Sequence, residues 1–382
     1  MHSAVPEEKG HVTSGRAGER GPGSDRDPAS GYGAGAAPRT PGAAPSPAPT
    51  VTDTERLEAE LERLRGAARQ LRKRLNARFF GQEETVERLI LALMAGGHVL
   101  LEGAPGLGKT TLVHALAEAV DLQFQRLQCT PDLMPSDVLG TRVLRVDDDS
   151  GARSFDFEKG PVFTNVLLAD EVNRATPRTQ SALLEAMQER QVTLHGKTHR
   201  LEPPFFMVAT QNPIEMEGTY PLPEAQLDRF LFKLELELPG HADLTTILSA
   251  TTGEAAEEEP PSFSRAEWLR LQELVREVAA PTPVVEAVSA IVLATHPDHG
   301  SAPEDIRSNL RYGSSLRGGQ AILLAAKARA LLADRLNIGL DDVRAVAPAA
   351  LRHRLILSYE GEARGVPRDS LVEAAVTAAV QG

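Results

Sequence analysis

The chain is short of several residue types, and each shortage closes off a class of explanation. It has one cysteine, Cys129, so it can build neither an internal disulfide nor a Cys-based zinc site, which suits a reducing compartment. Aromatic residues make up 4% of the 382 residues, too few and too scattered for a platform on which single-stranded bases stack. Positive charge is not in excess. Against 53 Asp+Glu there are 41 Lys+Arg, a net charge of −12, so nucleic acid is not expected as the main ligand. Long apolar runs are also missing: a membrane span needs roughly 20 such residues, and the longest candidate, 321–333, is broken by Lys327 and Arg329. The opening MHSAVPEEKG lacks the apolar stretch of a secretory signal. Neither GxSxG nor a Ser/His/Asp order occurs. The expectation is a soluble, cytoplasmic protein with no membrane span.

The length allows two or three domains. In residues 1–50, Gly, Pro, Ala and Ser account for 31 positions, with no Leu, Ile, Phe or Trp. Such a stretch buries too little apolar surface to offset the entropy of ordering it, so 1–52 reads as a disordered tail. Thr52-Asp53-Thr54-Glu55 then fits a capping box, and Leu57, Leu61, Leu64, Ala68, Leu71 and Leu75 form one stripe at helical spacing. Acids crowd the start of this 53–80 helix and bases its end, complementing the helix dipole. A free coiled coil and a docked helix are both open, and three heptads containing Gly66 favour docking.

From 81 to 239 short apolar runs (98–101, 124–129, 166–169, 205–210, 230–236) alternate with helical stretches (85–95, 109–120, 177–191, 225–230). That alternation predicts an α/β fold, a parallel sheet covered by helices. Two β-hairpins are expected as inserts, 142–146 with 154–157 around Asp148-Asp149-Ser150-Gly151, and 192–194 with 198–201 around His195-Gly196-Lys197. After Gly240 strand signals vanish. Helices are expected at 266–279, 284–295, 320–335 and 371–380, making 240–382 a helical domain, with an acidic linker over 253–261.

Gly103-Ala104-Pro105-Gly106-Leu107-Gly108-Lys109-Thr110 matches GxxxxGK[ST] between an apolar run and a helical stretch, as a phosphate loop requires. Glycines let backbone amides converge on a polyphosphate, and the helix N-terminus adds partial positive charge. Gly103 to Thr111 would bind the nucleotide, Lys109 reaching its β- and γ-phosphates and Thr110 a Mg²⁺ ion. Sixty residues on, the apolar run 165–169 ends in Asp170-Glu171, where Asp170 would hold the water shell of Mg²⁺ and Glu171 would take a proton from the attacking water. Two histidine groups, His296 with His299 and His195 with His199, lack a third convergent ligand, and Pro297 excludes a helical pair at the first.

These motifs, with the polar strand end Ala209-Thr210-Gln211-Asn212-Pro213 and the arginine of Leu227-Asp228-Arg229-Phe230, resemble the AAA+ ATPase core, and more narrowly the MoxR group. The runs carrying the narrower resemblance are Phe80-Gly81-Gln82-Glu83, FDFEKGPVF at 155–163, LADEVNR at 168–174, TQSALLEAMQERQV at 179–192 and YPLPEAQLDRF at 220–230. The resemblance covers about 79–380 and implies a P-loop AAA+ domain at 81–239 with a helical lid at 240–382. It also implies roles: Asn212 as sensor 1 orienting water, Arg229 as an arginine finger reaching a neighbouring subunit, Arg317 as sensor 2 in the lid. Two roles stay open: Gln128 is either only solvated, as a strand-end glutamine usually is, or holds Glu171 in an inactive pose, and Arg174 is either a surface arginine or a second intersubunit one. The two hairpins resemble inserts that face the pore or the client of a ring. The whole implies a Mg-ATP-dependent, homo-oligomeric ring, hexameric, that remodels a protein client or inserts a metal cofactor, beside a von Willebrand factor A-domain partner. A nucleotide-gated scaffold, a magnesium-chelatase-type subunit and, least favoured, a DNA helicase are the rival readings.

Overall fold

The computed structural model describes residues 51–146, 153–194, 196–213, 218–251 and 260–381. Its central sheet is built from the five apolar runs: β1 (Val99–Gly103), β2 (Phe124–Gln128), β3 (Val166–Asp170), β4 (Phe206–Gln211) and β5 (Phe232–Leu236). All pair in parallel, in the order β2-β3-β4-β1-β5. Strands sandwiched between helix layers are apolar on both faces, and β3 is buried at every position. Val166 and Leu168 pack into one side's core, while Leu167 and Ala169 pack into the other. The register places Asp170 opposite Gln128 and aligns Leu101 with Thr210, so the C-terminal ends of β1, β3 and β4 lie side by side. Open parallel sheets bind ligands along that edge.

The N-terminal helix spans Val51–Asn76, one residue before the expected cap. The side chains of 51–54 and 57 lie outside the described residues. Leu61, Leu64, Ala68, Leu71 and Leu75 are buried and join the core shared with Glu83–Met94 and the C-terminal helices, so the stripe is docked. Removing Leu71 with Ala would cost about 2–5 kcal/mol at such a site.

The C-terminal region is helical, as expected, with additions. Helices Arg265–Glu277, Thr282–Ala294, Leu316–Leu332 and Arg368–Gln381 match the four expected ones. His241–Thr251, Glu304–Asn309 and Leu340–Leu351 were not foreseen; Pro348 inside the last breaks the pattern a helix normally shows. The expectation that strands end at Gly240 needs correcting, because Leu310–Tyr312 pairs antiparallel with Ile356–Leu357. Segments of three and two residues are too short to show alternation.

Both hairpins form, as Gly140–Val146 with Arg153–Lys159 and Gln191–Leu194 with Lys197–Arg200. The tip 147–152, His195, most of the acidic linker and residues 1–50 lie outside the described residues.

Candidate nucleotide site

The phosphate loop leaves β1 at Gly103 and enters the helix Lys109–Ala119 through Gly108. Gly106 and Gly108 have φ of 82° and 77°, and a Cβ at either would meet nothing within 4 Å. The backbone conformation rather than space therefore selects glycine there. At Gly103 the constraint is contact, since an added Cβ would stand 3.0 Å from the Leu236 carbonyl oxygen of β5. The first amides of the helix have no intrahelical acceptor and point out of its N-terminus. Lys109 curls back, its Nζ donating to the carbonyl oxygens of Gly103 and, at 3.2 Å, Ala104. Burial lowers its pKa, against the opposing pull of Asp170, Glu171 and Glu102.

Asp170 ends β3 with 6% of its surface exposed. Its Oδ1 accepts from Thr210 Oγ1 at 2.6 Å, and its Oδ2 lies 3.4 Å from Thr110 Oγ1. An all-oxygen pair of this kind, one carboxylate and one hydroxyl, suits Mg²⁺, which takes few protein ligands and keeps the rest for water and phosphate. Glu171 follows in the left-handed region at φ 54°, its amide donating to Thr210 Oγ1 at 2.8 Å. Its Oε2 accepts from Gln128 Nε2 at 2.8 Å and from Arg174 Nη1 at 3.1 Å. Asn212, 4% exposed, sits just past the end of β4, one strand over. Cys129 is buried beside these carboxylates; burial first, then Asp170 and Glu171, push its thiol up to about 12, so it stays protonated.

Two contributors escaped the sequence reading. Thr210 bridges Asp170 and the Glu171 amide with one hydroxyl. Arg126 places Nε at 3.1 Å and Nη2 at 2.7 Å from Asp170 Oδ2. The signal for Arg126 was strand periodicity, which puts it two residues from Gln128 on the same face of β2.

Arg229 and Arg317 are elsewhere. Arg229 Nη1 donates to the Leu184 carbonyl oxygen at 3.3 Å, and Arg317 Nη1 lies 3.6 Å from Asp228 Oδ2. Asp228 is further held by Ser315 Oγ at 2.7 Å and Arg354 Nε at 2.9 Å. Burial brings the Arg354 guanidinium down to about 10 despite Asp228. Arg229, Arg317 and Arg354 line a cavity of about 240 Å³ with Gly97 and His98, the residues that precede β1. The five residues of β1 rise roughly 13 Å between that end and the phosphate loop, farther than an arginine reaches. The structure therefore brings Lys109, Thr110, Asp170, Glu171 and Asn212 to one edge of the sheet and leaves Arg229 and Arg317 at the opposite edge.

The histidines have ordinary partners. His296 Nε2 is 3.0 Å from the Ser314 carbonyl oxygen, His299 Nδ1 is 2.8 Å from Ser301 Oγ, and His199 stacks on Phe157 at 4.2 Å. That last contact joins the two hairpins, and Phe155 stands 61% exposed beside it with Arg142 over its ring. No helix among the described residues is long and apolar enough to cross a membrane.

Comparison with known proteins fits this geometry. A family model described as "ATPase family associated with various cellular activities (AAA)" matches residues 98–232, and an AAA lid domain matches 304–375. The chaperone MoxR1 of Mycobacterium tuberculosis is 41% identical over 325 residues, 84% of each chain. The chain belongs to the MoxR group of AAA+ ATPases. YeaC of Bacillus subtilis, another relative, is 41% identical over 80% of this chain and 91% of its own. The crystal structure of a candidate ATPase from Cytophaga hutchinsonii superposes with a TM-score of 0.79 at 36% identity, covering 85% of this chain and 98% of that one. Family membership makes the chain a nucleotide-binding protein of an ATPase family, with a parallel-sheet domain followed by a helical lid.

Proposed function

We propose that the chain binds Mg-ATP along the C-terminal edge of the sheet and hydrolyses it to ADP and phosphate only where a second copy brings Arg229 to that edge. What carries the reading is the division of parts: the phosphate loop, both carboxylates and Asn212 share one end of the strands, while the arginine lies at the other. Residues 103–111 would bind the phosphates, with Lys109 exchanging its loop carbonyls for β- and γ-phosphate oxygens. Thr110 and Asp170 would hold Mg²⁺, which when bound neutralises charge on those phosphates. Glu171 takes the proton of the attacking water, and Asn212 orients that water. Arg229 stabilises charge on the leaving phosphates, a contribution worth about 10³–10⁵ in rate, or about 4–7 kcal/mol. Arg317, tied to Asp228 beside Arg229, would approach the same neighbouring site and couple its state to the lid.

A head-to-tail interface closes into a ring where the rotation between copies completes a turn, and runs on as a filament where it does not. In line with the resemblance, the ring is hexameric and remodels protein clients, with metal-cofactor insertion among its outcomes and a von Willebrand factor A-domain protein as partner. The joined hairpins, with Phe155, Leu144 and Val146 exposed, are the surface offered to the client. Steady-state phosphate release decides between this and a nucleotide-gated scaffold. Wild type should exceed Glu171→Gln by about 10²–10⁴, the range for a general base. Equal rates sink the enzyme reading. Copurification with a chelatase subunit would favour the magnesium-chelatase assignment instead.

A further inference from the structure

Asp170, the carboxylate assigned to the metal, already has a cation. Arg126 reaches its Oδ2 with two nitrogens, Nε at 3.1 Å and Nη2 at 2.7 Å, from the adjacent strand β2. The Asp170 side chain is 9% exposed and that of Arg126 49% exposed. A carboxylate so enclosed is costly without a counter-charge, and the guanidinium supplies one. The oxygen Arg126 grips is also the one that faces Thr110 Oγ1. A divalent ion held between Thr110 and Asp170 would meet the Arg126 guanidinium at that same oxygen.

The same guanidinium reaches further. Its Nη2 donates to Gln128 Oε1 at 2.9 Å, which turns the amide so that Nε2 points at Glu171 Oε2, 2.8 Å away. One cation thus pairs with the metal carboxylate and fixes the group that restrains the base. Its partly exposed side lets it swing aside without opening the core.

We propose that Arg126 is the resident counter-ion of Asp170, that cation loading must displace it, and that its release frees Gln128 from its hold on Glu171. Arg126 is on this view a positioning residue. The proposal rests on the nucleotide reading above and is tested by binding rather than turnover. The full-length chain is titrated with a fluorescent ribose-labelled β,γ-imido ATP, once with Mg²⁺ and once with EDTA, and the ratio of the two Kd values is compared between variants. In Arg126→Gln the competing cation is gone and the phosphates face a bare carboxylate when metal is withheld. The Mg²⁺ dependence of affinity should rise about five- to tenfold. Arg126→Lys keeps the charge and loses the two-pronged contact, so its ratio should rise about twofold. A purely structural role shifts both Kd values together and leaves the ratio where it was. An unchanged ratio in whichever variant folds, or a smaller one, overturns the proposal. If the wild type binds no labelled nucleotide under either condition, the nucleotide reading itself has failed.

Discussion

Gln128 donates its side-chain amide to Glu171 Oε2 at 2.8 Å, across the parallel pair β2 and β3. With Arg174 on the same oxygen at 3.1 Å, the proposed base carries two donors before any substrate arrives. Both donors hold the carboxylate in its resting orientation, and turning Oε2 toward water means shedding one of them. Restraint of the resting protein is thus built into Arg174 and into Gln128, which the register sets opposite Asp170, one residue before the base.

Replacing Gln128 with Ala removes one of those donors. A single hydrogen bond to a charged group is worth about 1.5–3 kcal/mol, part of which Arg174 and water make up. Phosphate release without a client should rise about threefold to tenfold. A fall in that rate would show Gln128 to be part of the catalytic apparatus instead.

The histidine that precedes β1 gives a pH prediction. His98 Nδ1 accepts from the Met207 amide at 2.9 Å, and burial, aided by Arg190, lowers its pKa to about 3. In the unfolded chain the group titrates near 6.5, so it favours folding above that pH. As pH falls through 6.5 toward 3 the unfolded chain takes a proton that the folded one refuses, and stability drops. Between pH 7 and 5 the loss is about 2 kcal/mol from this residue. His353, also buried and shifted well down, adds in the same direction. Urea unfolding of wild type and His98→Asn at both pH values tests this, since asparagine can still accept the amide but does not titrate. Identical slopes for the two proteins would contradict it.

A buried carboxylate anchors the lid. Asp342 is fully buried, with Arg335 Nη2 at 2.6 Å, Arg329 Nη1 at 2.6 Å and the Gly339 amide at 2.9 Å. Burial alone would raise its pKa, but Arg335, the Gly339 amide and Arg329 hold it below the usual carboxylate range. Asp342→Ala leaves two guanidinium groups without their anion, but both side chains are about a third or more exposed and water reclaims them, so the cost is about 1–3 kcal/mol, below that of a fully buried pair. Thermal unfolding should shift sharply down, while labelled-nucleotide affinity at low temperature changes little. Unchanged melting would mean that solvent compensates the arginines.

The legible features were those written locally. GxxxxGK[ST], the apolar runs and the stripe on the first helix each declare themselves within a few residues, and the structure places them accordingly. Arg126 did not, because an arginine in a strand reads as solvated until the neighbouring strand supplies Asp170. The pairing of Arg317 with Asp228 spans the sheet domain and the lid, a long-range contact that no local pattern encodes. Helix Leu340–Leu351 hid behind Pro348 and its alanines, whose burial depends on the helices around it.

The separation of Arg229 from the phosphate loop makes the sharpest test. Because β1 stands between them, Arg229→Ala should abolish turnover and leave nucleotide affinity nearly unchanged. Glu171→Gln should also be inactive, though for a different missing part. In a mixed assembly, a protomer that keeps Glu171 but lacks Arg229 can sit against one that keeps Arg229 but lacks Glu171. That interface owns both groups and should hydrolyse ATP. With random mixing at equal amounts, about a quarter of interfaces have this arrangement, so the mixture should recover up to about a quarter of wild-type activity. The measurement is phosphate release over a titration of one variant into the other, with assembly followed by light scattering. Assembly without recovery would place the arginine's action within its own protomer, against the geometry of the sheet.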